Sequence, residues 1–247
     1  ILSATMFNTR EQQNGVSVRS VLMILLLLPI ISNSFTPSHP WLFVRPCLSI
    51  NRVPSVLCLS NQEGAPTSTK KAVNTRRQGP KQLQQKIRDC NTTQAVMDLC
   101  QKHATNMRPF HVSYCWNQIS QFLRDYNEVK RIRDDPQMLK PLLNLTVKEC
   151  AGMDPRSLAT ITHRMAKMSV RTRIITNKSR MWMLLEKRAF KISNFRTIEI
   201  SNMLWAFAKV RRKSPAVFNH FANLAIANMK DFDSQNIANT VWSYATV

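Results

Sequence analysis

The chain has 247 residues, with 35 Lys or Arg against 14 Asp or Glu and a formal net charge of +21. Only four glycines and no alternating apolar runs argue against a sheet-rich fold, and the cysteines at 47, 58, 90, 100, 115 and 150 lack the spacing of a disulfide framework. A chain this basic either needs a polyanionic partner to offset its self-repulsion or carries its charge as a solvated face.

The amino terminus reads first as targeting. From Met6, Arg10 and Arg19 precede the apolar run Val21 to Ile31, and Ser32-Asn33-Ser34 supplies small residues at cleavage spacing. This pattern predicts a secretory signal peptide over residues 1–34, too short to span a bilayer as a stable helix. Residues 35–85 follow as a disordered, transit-peptide-like segment. From Phe35 to Arg88 there are nine Lys or Arg and one acid, Glu63, among many Ser, Thr and Pro. A signal peptide cleaved between Ser34 and Phe35, then a basic hydroxylated stretch, resembles the bipartite presequence of algae with four-membrane plastids. The resemblance implies delivery to the plastid stroma by the secretory route. Mitochondrial import and plain secretion are the alternatives.

Residues 86–247 keep a charge of +14, from twenty-six bases and twelve acids, so the excess survives removal of the presequence. After a leading helix over 92–106, this part is built of repeats. Phe195-x6-Asn202-x2-Trp205-Ala-Phe-Ala208 returns 37 residues later as Phe232-x6-Asn239-x2-Trp242-Ser-Tyr-Ala245. The same frame places units near 110, 153, 195 and 232, the last one truncated at Val247. A unit of this length cannot bury its apolar face alone and must stack on its neighbours, which predicts an all-α fold, an α-solenoid of helical hairpins.

Each unit predicts a helix A and a helix B. In the third, Ile200, Met203, Leu204, Phe207 and Val210 share one apolar arc with Trp205 at its edge, and Glu199, Asn202, Ala206 and Lys209 form the opposite stripe. Ser214-Pro215 opens helix B of that unit, as Asp135-Pro136 does in the first, running to about Glu149, and Asn177 or Ser179 in the second.

The Phe-x6-Asn-x2-Trp-(Ala/Ser)-(Phe/Tyr)-Ala pattern, with Ser214-Pro-Ala-Val-Phe218 between its two copies, resembles the octotricopeptide repeat family and its relatives among organellar RAP-domain and FAST-kinase-like proteins. The match is specific over 195–247 and degenerate over 110–190, where Ser120 and His163 stand in place of the tryptophan. The resemblance implies sequence-selective binding of single-stranded organellar RNA in transcript processing, stability or translation, with other RNA-processing proteins as further partners. A chain that stops within helix A of a unit is expected to be a fragment, and no RAP domain is visible in it. A protein-interaction solenoid and an RNA-processing enzyme with its catalytic domain beyond Val247 are the alternatives.

The charge can be placed on this frame. Arg124, Lys167 and Lys209 occupy one helix A position in three of four units, where the fourth has Thr246, and form an expected ladder facing RNA phosphates. Tyr114, Ser157, Glu199 and Asn236 at one stripe position, and Gln121, Arg164, Ala206 and Ser243 at another, differ from unit to unit, as reading one base per repeat demands. The alternative is a freely drifting solvent face, with Lys187, Arg188 and Lys191 of a helix B as the competing cations. Asn117, Asn202 and Asn239, with Thr160, recur too uniformly to discriminate bases and are expected to hydrogen-bond a neighbouring helix or loop. Trp205 and Trp242 are expected in the core between repeats.

No catalytic pattern emerges. The histidines at 39, 103, 111, 163 and 220 are scattered, and neither a Gly-rich phosphate loop nor a His-Glu-x-x-His pattern occurs. Cys100-x2-His103 has half the spacing of a zinc site, beside Cys90, His111 and Cys115, but one helical turn of core packing gives the same pair. The expectation is a non-enzymatic chain without a metal or other cofactor.

Overall fold

The computed structural model describes residues 75–247, with side chains from Lys81 onward. The expected signal peptide, the cleavage site at Ser34 and Phe35 and most of the transit-like segment lie outside the described residues. Within them are ten α-helices and no strand. The first, α1, spans Thr75–Arg88, so helix begins inside the stretch expected to be disordered to residue 85. It is followed by α2 (Thr93–Lys102), whose cap Thr92 accepts from the Ala95 N–H. The helical part thus opens with two helices where one was expected.

Proline or a short acid opens most of the rest. Pro109 is the first residue of α3 (Pro109–Phe122), Asp125 caps α4 (Tyr126–Asp134), and Asp135 caps a 3-10 turn over Pro136–Leu139 that leads into α5 (Lys140–Glu149). Asp154 caps α6 (Pro155–Thr172), which ends on Arg173 in the left-handed conformation at φ 62°. Ser179 caps α7 (Arg180–Ala189). Then come α8 (Thr197–Lys209), α9 (Pro215–Ala227) and α10 (Ser234–Thr246), the last capped by Asp233. Ser214 stands at the start of α9 without capping it. Its hydroxyl donates instead to Glu186 Oε1 on α7 at 2.6 Å, while Arg212 Nη2 reaches Glu186 Oε2 at 3.2 Å.

Helix α4 escaped the sequence reading because its nine residues offer little to bury beyond Val129 and Ile132. Its third buried residue is Glu128, whose carboxylate accepts from the Thr93 N–H at 2.9 Å and so serves the first turn of α2.

The helices corresponding to A, namely α3, α6, α8 and α10, pack on one another in series, with α1 against α3 at the near end. Of the second layer, α2 and α5 touch each other, whereas α7 meets α5 chiefly through the turn Cys150–Gly152. The core lies between the layers. Trp116 on α3 and Trp182 on α7 are its largest fully buried side chains, and their indole N–H groups donate to Thr146 Oγ1 at 2.9 Å and to the Thr176 carbonyl at 3.0 Å. Phe195 meets Phe221, and Phe218 meets Tyr244, whose buried hydroxyl donates to the Phe218 carbonyl at 2.7 Å.

Candidate nucleic-acid interface

Among the described residues α3, α6 and α8 are each covered on three sides, by the first-layer helices before and after them and by a second-layer partner, which leaves a narrow stripe facing solvent, whereas α10 packs on α8 alone among the A helices. One set of exposed or half-exposed positions repeats with spacings of four, three and four residues along each A helix, ending just past α3 in the first case. They are Ser113, Asn117, Ser120 and Arg124; Arg156, Thr160, His163 and Lys167; Ile198, Asn202, Trp205 and Lys209; and Gln235, Asn239, Trp242 and Thr246.

All three expected phosphate contacts share one row. Arg124 and Lys209 are exposed and Lys167 is half-buried, and none of the three forms an ion pair with any described residue. The Lys167 ammonium is held below its ordinary value, first by burial and then by the charges of Arg164 and Arg124. Arg164 is likewise pushed down by burial, and its Nε is enclosed without a partner. A group of cations that repel one another, with no carboxylate on the exposed stripe, costs stability by itself and is relieved by an anion.

The base-reading assignments are corrected at four positions. Ser157, Glu199, Asn236 and Ser243 are all buried, beyond the reach of a base. Three of them have partners within the protein: the Glu199 carboxylate accepts from the Arg196 N–H and from its guanidinium, Asn236 Oδ1 accepts from Ser201 Oγ on α8 at 2.9 Å, and Ser243 Oγ donates to the Asn239 carbonyl one turn earlier on its own helix. The stripe chosen from the helical wheel was polar because small polar side chains fill close contacts between A helices, not because it faced water. Ala206 is buried for the same reason. Of the other expected readers, Gln121 is exposed, Arg164 is half-buried, and Tyr114 lies half-buried beneath the Arg88 guanidinium, 5.2 Å from its ring centre.

The asparagines and tryptophans are corrected too. Asn117 and Asn202 make no side-chain hydrogen bond to any described residue, and Asn239 accepts only from Gln235 on its own helix, so the expected bonds to neighbouring helices do not form. Trp242 is 39 % exposed and lies outside the core, whereas Trp205 is half-buried and packs against the edge of the core. Their rings meet along the open stripe with centroids 6.3 Å apart, and the Lys209 ammonium stands 5.7 Å from one and 5.5 Å from the other. His163 packs edge-on against Trp205 at 4.7 Å. Burial, then Arg164 and Lys167, push His163 down to about 3, so it contributes a neutral ring at physiological pH.

Sequence reasoning missed Arg156, Ile198 and Gln235, an exposed row that varies from helix to helix. The signal was present in the spacing, since each lies four residues before the recurrent Asn or Thr. No group of three or more His, Cys, Asp or Glu among the described residues is placed to hold a metal ion. Cys100 and Cys115 instead face each other in the core at 3.8 Å. Comparison with family models, curated proteins and solved structures finds no match for this chain.

Proposed function

We propose that the chain is an α-solenoid that binds single-stranded RNA along the open stripe of α3, α6, α8 and α10. The observation that carries the reading is the row of cations without ion pairs, Arg124, Lys167 and Lys209, whose last member stands beside the half-buried ring of Trp205 and the exposed ring of Trp242. Cations that track a backbone beside aromatic faces that accept bases are the two ingredients of single-strand binding. Close packing of the A helices, with α7 drawn away from α5, supports a curve whose inner wall is this stripe. Sequence selectivity belongs to the row Ser113, Arg156, Ile198 and Gln235 and to Gln121 and Arg164, which vary where the cations do not. This extends the octotricopeptide-repeat resemblance to an organellar transcript as the ligand and to a role in its processing, stability or translation, with no catalysis by this chain.

Filter binding of the protein to a randomised RNA pool over a salt series tests the reading. The expected result is binding that falls with log salt and enrichment of unpaired sequences; absence of binding at low salt would overturn it in favour of a protein-interaction scaffold. One observation favours that second reading: a groove of about 580 Å³ between α5 and α7, lined by Leu143, Val147, Ile174, Met183 and Leu184. For localisation, residues 6 to 85 fused to a fluorescent protein should reach the stroma of a four-membrane plastid, and Phe35→Ala should stall the cargo before it. Release of the unaltered fusion to the medium rules out the plastid assignment, and stromal import of the variant rules out Phe35 as a determinant of that import.

A further inference from the structure

We propose that Trp205 and Trp242 form a cleft that takes one unpaired nucleobase between their rings, with Lys209 at its mouth to meet the phosphate of the same nucleotide. The inference rests on the RNA-binding reading and adds to it a site and a ligand class.

The two rings stand slightly closer than a sandwiched base requires. The ring centroids are 6.3 Å apart and their planes inclined by 33°. A base sandwiched between two rings needs two stacking steps of about 3.4 Å each, about 6.8 Å in all, so the walls must part by about half an ångström and swing towards parallel. The two walls differ in freedom. Trp205 packs against the core and against the His163 ring at 4.7 Å with an interplanar angle of 85°, whereas Trp242 stands 39 % exposed on α10. Trp242 is the wall that moves.

Lys209 makes the cleft selective. Its ammonium lies within 6 Å of both ring centres and pairs with no carboxylate among the described residues, so two π faces are its only described partners. A planar ligand that carries an anion one sugar away satisfies the rings and the ammonium together, which describes a nucleotide of a single strand. In a duplex the base is already paired and stacked, and its entry carries the cost of extracting it.

The test compares the unaltered protein with Trp242→Leu and Trp242→Phe, against a short single-stranded RNA and against the same sugar–phosphate chain lacking bases. Trp242→Leu should weaken RNA binding about 5- to 150-fold with the salt slope unchanged, while Trp242→Phe keeps most of the affinity. The base-free chain should bind the unaltered protein at least as weakly as RNA binds Trp242→Leu, and RNA should quench the tryptophan emission only while Trp242 is present. The exposed ring predicts a helical circular dichroism spectrum for Trp242→Leu like that of the parent. If the unaltered protein binds RNA and the base-free chain equally, or Trp242→Leu binds as the parent does, the cleft is refuted and the phosphate row stands. If the unaltered protein binds no RNA, both fall together.

Discussion

Changing Arg124, Lys167 and Lys209 together to glutamine should weaken binding of every single-stranded RNA and reduce the slope of log K against log salt by about 2, from about 0.7 for each phosphate that is no longer neutralised. The effect is expected to be independent of sequence, because phosphates carry none. Stability should hold or rise in the triple variant. Lys167 is already held low by burial and by Arg164 and Arg124, so removing its charge and that of Arg124 relieves a repulsion that no described carboxylate offsets. Filter binding over a salt series and urea midpoints read the two effects separately. A triple variant with the parent's slope would move the RNA-binding face to the second layer, where Lys187 and Lys191 are exposed. Exchanging Gln121 should change which sequence is preferred and leave the slope alone.

How far the sequence carried this reading differs between fold and site. The helical character and several helix starts were legible because they are local, as Asp135-Pro136, Ser179 and Pro215 show. The row Arg124, Lys167 and Lys209 was legible too, since equal register on equivalent helices needs only the repeat spacing. What failed was the sidedness of the A helices. A wheel ranks residues by polarity and so assigned Glu199, Ser157 and Ser243 to water and the tryptophans to the interior. In the structure, small or capped polar side chains fill the tight helix–helix contacts, and indoles too bulky for those contacts are left at the rim. Three-sided burial is a property of the stack, absent from any one helix. Helix α4 was missed for a related reason: its buried Glu128 is explained only by the Thr93 N–H it serves, 35 residues earlier.

The tryptophans separate core from surface in a way that a single denaturation series can measure. Trp116 is fully buried between α3 and α5, with its N–H on Thr146, so Trp116→Ala should cost about 3–5 kcal/mol. That is a large share of the about 5–15 kcal/mol by which domains are stable, and the urea midpoint should fall steeply. Trp242→Ala, on the exposed stripe, should shift the midpoint little, by about 1 kcal/mol or less. The contrast matters because both rings sit on A helices and both look like core from their neighbours in sequence. Equal losses at the two positions would mean that Trp242 is packed and the stripe is closed, which removes the surface on which RNA binding is proposed. A Trp116→Ala protein as stable as the parent would mean instead that α3 and α5 do not enclose this ring, and the layered packing itself would have to be redrawn. The expected ordering, a large loss at Trp116 and a small one at Trp242, ties the open stripe to the buried layer behind it.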